Sequence, residues 1–192
     1  MRKMGVVLAG GKSSRMGTDK SLLSLNGKPV IQHVVSRLKS CSDEVCIIAN
    51  NPASYSFLNT PVYPDRYKEK GPLAGIESAL YNTDADVYIC AACDMPFVHA
   101  SVYEHLLGLL EDADAVIPVY PDKMHPLSAI YTKYALPPIQ ELLDKDIRKV
   151  RRLFDRINVN YAKKFGDIPD ETLSRHFFNM NYPDQYEEAN QF

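Results

Sequence analysis

The sequence predicts a single α/β domain, a Rossmann-like three-layer arrangement of a mostly parallel sheet flanked by helices. Three observations carry this. Short apolar runs rich in valine and isoleucine alternate with segments whose apolar residues recur at helical spacing. The runs are apolar at successive positions, the pattern of strands buried on both faces. No internal repeat, low-complexity tract or Pro/Gly/Ser linker interrupts residues 1–192, and 45% hydrophobic content over that length can fill a core.

The elements follow in order. Residues 3–9 read as a strand that stops abruptly at Gly10 and Gly11. "SLLSLNGKP" gives a short extended stretch with a turn at Asn26 and Gly27, and Pro29 opens the helix "PVIQHVVSRLKS", striped by Ile31, Val34, Val35 and Leu38. "DEVCIIAN" is a strand, "GPLAGIESALYN" a helix opened by Pro72, "DVYICAA" a strand, "HASVYEHLLGLLED" a helix and "DAVIPVY" a strand. Beyond these, "MHPLSAIYT" reads as extended, "ALPPIQELLDK" and "IRKVRRLFDRI" as helices, and "HFFNMN" as a strand before a last short helix.

A formal net charge of −2 gives no excess of positive charge for nucleic acid, so none is expected as a partner. The N-terminal apolar run turns to glycine and lysine too early for a signal-peptide core, and no run is long enough to cross a membrane. The expectation is a soluble, cytoplasmic protein. Four cysteines are too few for a disulfide scaffold and read as reduced core thiols. Cys90 and Cys93 form a Cys-x-x-Cys, but within an apparent strand and with no second pair at zinc-ligand spacing.

Ligands of open parallel sheets bind at the carboxyl ends of the strands, which directs attention to Gly10 onward, Asn50, Asp65 and Asp94. The loop "LAGGKSSRMGTDK" combines three glycines and two serines with Lys12, Arg15 and Lys20. Glycine lets backbone N–H groups face an anion, and the cations supply charge-assisted bonds to phosphate. It is not a P-loop, since Gly11 stands where lysine is required after Gly5 and Gly10, and it lacks Gly-x-Gly-x-x-Gly. Composition alone leaves a solvated loop equally open.

The run Leu-Ala-Gly-Gly-x-Ser-x-Arg-Met-Gly-x-Asp-Lys, residues 8–20, resembles the signature loop of the molybdenum cofactor guanylyltransferase family. The resemblance continues at "NGKPVIQHVV", "PDR", "GPLAGIESAL", "CDMPF", "HPLSAIY" and "NMNYPDQ". It implies transfer of GMP from GTP to the phosphate of molybdopterin, giving the guanine dinucleotide and pyrophosphate. It also implies nucleotide contacts at Leu8, Ala9, Gly10, Gly11, Lys20, Asn50, Asp65 and Asp94, with Asp94 as the Mg²⁺ ligand and Lys20 and Arg15 shielding phosphate charge. His125, Asn179 and Asn181 would meet the pterin or product. The doublet Gly10-Gly11 leans toward guanine, although some sugar-nucleotide enzymes share it.

Each residue has a plainer reading beside this one. An Asp after a strand caps helices or forms turns, as do Asn50, Asp65, Asn179 and Asn181, and Asn51 leaves the Asn50 register open by one. An isolated His125 is more often structural. The basic run Arg148, Lys149, Arg151 and Arg152 reads as a solvated helix face, or as a lure for the anionic pterin phosphate. Molybdenum-inserting and acceptor proteins follow as expected partners. The rival functions are a nucleotidyltransferase of the same fold using CTP or a sugar phosphate, and a non-catalytic module that binds GTP or cofactor.

Overall fold

In the computed structural model, which describes residues 1–10 and 20–191, seven strands form one twisted sheet. They are β1 (Lys3–Leu8), β4 (Glu44–Ile48), β5 (Val62–Tyr63), β6 (Val87–Ala92), β7 (Ala115–Pro118), β8 (Ile130–Thr132) and β9 (Val159–Ala162), in the order β5-β4-β1-β6-β8-β7-β9. All pairings are parallel except the two made by β8. Parallel neighbours need a crossover, and helices supply it. Between β1 and β4 runs α1 (Val30–Leu38), between β5 and β6 α2 (Pro72–Asn82), and between β6 and β7 α3 (Ala100–Gly108). A small hairpin of β2 (Ser24–Leu25) and β3 (Lys28–Pro29) precedes α1. Its turn uses positive φ at both Asn26 (49°) and Gly27 (75°), as an Asn-Gly hairpin turn demands.

Alternate residues of β1 enter two cores. Val7 joins Ile31, Val34, Val35 and Leu38 of α1 and Val102 and Leu106 of α3 on one face. Met4, Val6 and Leu8 join α2 and α4 (Leu136–Asp144) on the other. Gly5 permits this closeness, since a Cβ there would lie 2.9 Å from Ser42 Oγ and 3.0 Å from Leu38 Cβ at the end of α1. Leu25 and Val30 form a third cluster with Met180 and Ala189, the latter on α6 (Pro183–Ala189). Cys41, Cys46 and Cys90 are buried thiols, and burial pushes Cys41 up to about 11 and Cys46 up to about 12.

The C-terminal third departs from expectation. "HFFNMN" is not a strand: His176 ends a helix, α5 (Asp170–His176), and the residues after it run without a ladder. Pro169 precedes that helix, acidic Asp170 and Glu171 open it, and Leu173 with Phe177 gives it a buried i, i+4 pair. "IRKVRRLFDRI" shortens to a 3₁₀ segment, Val150–Asp155, anchored by buried Val150 and Leu153. Only the last three residues of "MHPLSAIYT" pair as strand β8.

Candidate functional site

The carboxyl ends of β1, β4 and β6 open onto a cleft of about 1080 Å³. Three backbone bonds fix its floor. Ala9 N–H donates to Ile48 O (2.9 Å), Cys93 N–H to Leu8 O (3.1 Å), and Met180 N–H to Asp94 O (2.9 Å). Leu8, Ala9, Gly10, Lys20, Asn50, Asp65, Asp94, His125, Asn179 and Asn181 all line this one cleft. Gly11 and Arg15, also singled out by the sequence, lie outside the described residues.

Two carboxylates define the cleft chemically. Asp94 follows β6 in a tight turn closed by Met95 N–H to Ala92 O (3.2 Å). Its Oδ1 is buried and has no hydrogen-bond partner among the described residues, and the same holds for Oδ1 of Asp65. Buried polar atoms are nearly always paired, so two such oxygens in one cleft point to a missing partner. Desolvation raises the Asp94 carboxyl above the usual range, opposed by its own backbone N–H and by the charge of Lys20. Burial raises Asp65 likewise, opposed by a hydrogen bond from Asn50.

Asn50 and Asp65 form a reciprocal pair. Asn50 Nδ2 donates to Asp65 Oδ2 (3.0 Å) while Asp65 N–H donates to Asn50 Oδ1 (3.1 Å). Asn51, which also lines the cleft, instead donates to Ser54 Oγ (2.9 Å), so only Asn50 bonds Asp65. Gly10 sits against this pair, where a Cβ would come within 3.3 Å of Asp65 Oδ2. Lys20 Nζ donates to the backbone O of Asn181 (2.6 Å), and Asn181 N–H is held by Gln185 Oε1 (2.6 Å). Asn179 Nδ2 is turned to Phe177 O (2.9 Å).

The far wall is aromatic and neutral. His125 Nε2 donates to Tyr120 O (2.6 Å), leaving Nδ1 as an acceptor, and its ring lies 4.4 Å from Phe177. Desolvation lowers its basicity, so the imidazole is uncharged at neutral pH. Behind it runs a chain whose donors are fixed by its ends. His99 N–H donates to His176 Nδ1 (2.9 Å), so His176 Nε2–H donates to Ser128 Oγ (2.9 Å). Ser128 in turn donates to Tyr103 Oη (3.0 Å), which donates to Cys90 O (3.1 Å). Of the basic run, Arg148 reaches the cleft margin, where Asp146 holds it through Nε (2.8 Å) and Nη2 (3.2 Å).

Sequence reasoning passed over several cleft residues: Ser21 and Tyr55, joined by a 3.1 Å hydroxyl contact, Gly75 on α2, and Ser128. The only signal for Ser128 was its place three residues after the His-Pro pair's histidine. Among the described residues no group of three or more His, Cys, Asp or Glu is arranged to hold a metal, so these residues bring at most two carboxylates to such an ion. That donor set suits Mg²⁺ shared with phosphate oxygens and not a caged cation.

Comparison with known proteins gives a consistent answer. Residues 5–161 match the model of the MobA-like NTP transferase domain. The chain is similar to a probable molybdenum cofactor guanylyltransferase of Carboxydothermus hydrogenoformans, 37% identical over 182 residues covering 94% of this chain and 91% of that one. A molybdenum cofactor guanylyltransferase of Vibrio parahaemolyticus is 34% identical over 184 residues, with 94% and 91% covered. Among solved structures, molybdopterin-guanine dinucleotide biosynthesis protein A of Archaeoglobus fulgidus superposes with a TM-score of 0.80 at 30% identity, covering 98% of this chain and 97% of that one.

Proposed function

The chain belongs to the MobA-like NTP transferase family and, within it, to the molybdenum cofactor guanylyltransferases, and from that premise we propose that it transfers GMP from GTP to the phosphate of molybdopterin. An oxygen of the terminal phosphate of molybdopterin attacks the α-phosphorus of GTP. The new P–O bond forms as the bond from the α-phosphorus to the bridging oxygen breaks, and pyrophosphate leaves with that electron pair. A phosphate monoester is already ionised at neutral pH, so no protein nucleophile is needed; alignment and charge shielding suffice. The observation that carries the reading is the buried Oδ1 of Asp94, without a partner among the described residues, in a cleft that Lys20 also lines.

In this reading Leu8, Ala9, Gly10 and Gly11 meet the nucleotide with backbone, Asn50 and Asp65 hold base or ribose, and Lys20 and Arg15 meet phosphates. Lys20 must share its ammonium, now on Asn181 O, with a phosphate oxygen, which three N–H donors allow. Asp94 is the residue that would hold Mg²⁺, since its Oδ1 is a hard anionic donor with no partner among the described residues. When bound, the ion offsets charge on the transferred phosphoryl group. His125, Asn179 and Asn181 face the pterin side, and residues 1–192 act as one domain. The cytoplasmic location and the molybdenum-inserting and acceptor proteins expected from the sequence belong to the same reading.

The test is pyrophosphate release with GTP, CTP, UTP and ATP, each with and without molybdopterin and with and without Mg²⁺. GTP with molybdopterin and Mg²⁺ is expected to be the best combination. A better rate with CTP or a sugar phosphate would overturn the guanylyltransferase assignment, and an Asp94→Ala protein with undiminished turnover would overturn the site.

A further inference from the structure

Asp65 lies in the connection between β5 and α2, residues 64–71, which has neither ladder nor helix of its own. Its position rests on side chains. Asn50 takes one side of it, and the next residue is fastened to α2 at three points. Arg66 N–H donates to Ser78 Oγ (2.8 Å), its guanidinium is ion-paired with Glu77 through a short bond, and the same group lies 3.3 Å from the centroid of the Tyr81 ring. On the same helix, the Cβ position of Gly75 is 3.7 Å from Asp65 Oδ1.

Glu77 is the unexpected member, because its side chain is 0% exposed while that of Arg66 is 35% exposed. Burying a carboxylate carries a desolvation cost that an apolar residue at this place in the core would not. Gln140 of α4 donates a further bond to Oε1 (2.9 Å), so the charge is held from the loop and from α4. What a charge provides here, and an apolar side chain cannot, is a single location for the guanidinium. A planar guanidinium bonded through Nη1 to a carboxylate and lying over a ring fixes the loop backbone in direction as well as distance.

We propose that the Arg66–Glu77 pair, with Ser78 and Tyr81, is a positioning device that holds Asp65 with its Oδ1 toward the nucleotide. The inference rests on the reading of Asp65 as a nucleotide contact. Neither Arg66 nor Glu77 lines the cleft, so both act through Asp65.

The test replaces both charges together, R66M/E77L, so that no buried ion is stranded. The melting temperature is expected at or above that of the parent, with KM for GTP raised roughly tenfold and kcat within about twofold, the pattern of lost ground-state binding. D65N alone should raise KM for GTP, and adding R66M/E77L to it should raise KM no further. A parental KM in R66M/E77L beside a raised KM in D65N overturns the positioning role alone. A parental KM in D65N overturns the role of Asp65 and the inference with it. Should R66M/E77L not fold, S78A and R66K carry the same measurement, with roughly threefold rises expected and a parental KM in both refuting the device.

Discussion

Protonation of His176 should dominate the response of stability to mild acid. The imidazole is fully buried, and desolvation chiefly, with smaller contributions from His125 and His99, lowers its pKa from 6.5 to about 3. In the folded protein it is therefore neutral throughout the mildly acidic range, whereas the unfolded chain takes up a proton below 6.5. The stability associated with the neutral form is complete above pH 6.5 and is lost as pH falls toward 3, at a limiting slope of about 1.4 kcal/mol per pH unit. Between pH 7 and pH 5 the loss is about 2 kcal/mol, before ordinary carboxylates titrate. Urea unfolding followed by far-UV circular dichroism at the two pH values measures it, and H176Q supplies the control. The variant should be less stable at pH 7, having lost its contacts with Tyr103 and Phe177, but its pH slope should be much flatter. A variant with a slope as steep as the parent's would show that the buried imidazole is not the group responsible.

Other perturbations probe the cleft. Asp94→Asn should lower turnover by about two to three orders of magnitude while leaving the melting temperature of the unliganded protein unchanged or raised, because a desolvated carboxylate is replaced by an amide. Gly10→Ala places a methyl group 3.3 Å from Asp65 Oδ2; isothermal titration should show weaker GTP binding by an intact fold. Because burial raises the Asp65 and Asp94 carboxyls, their titration in the protein without nucleotide or Mg²⁺, followed by carboxyl-carbon NMR, should lie above the usual carboxylate range, and ordinary values would refute their desolvation. By the same sign, these two charges oppose folding more as pH rises through their raised values.

The frame of the fold was legible because its elements are long and strongly patterned. Val6, Val7, Ile47 and Ile89 sit in runs buried on both faces, and Ile31, Val34, Val35 and Leu38 fall on one helical stripe. The hairpin was legible from Asn26-Gly27 alone. The failures cluster where burial is partial or local preference is ambiguous. Strand β9, "VNYA", has one buried residue and no clear alternation, and was missed. "HFFNMN" offers aromatic residues at strand-like density, yet His176 and Phe177 are buried as the end of a helix whose start, Pro169-Asp170-Glu171, lay upstream of the run. The reversed direction of β8 depends on long-range pairing that no local pattern encodes. At the site, Asp94 and Asn50 were legible as polar residues directly after apolar runs. Glu77 was not, because a charge within "GPLAGIESAL" reads as an exposed helical position until α4 is seen to cover it.

The bond from Lys20 to the carbonyl of Asn181 joins residues 161 apart in the chain, and Tyr186 closes the same junction through a short bond to Ser24 O. The cleft floor at Leu8, Ala9 and Gly10 thereby meets a wall drawn from residues far along the chain. Met180 bonds Asp94 and fills the cluster around Leu25 and Val30. Without residues 177–191 the cleft would lose Asn179 and Asn181 from its lining together with these bonds. A cleft closed by contacts of such long sequence separation forms only once these distant segments have packed together.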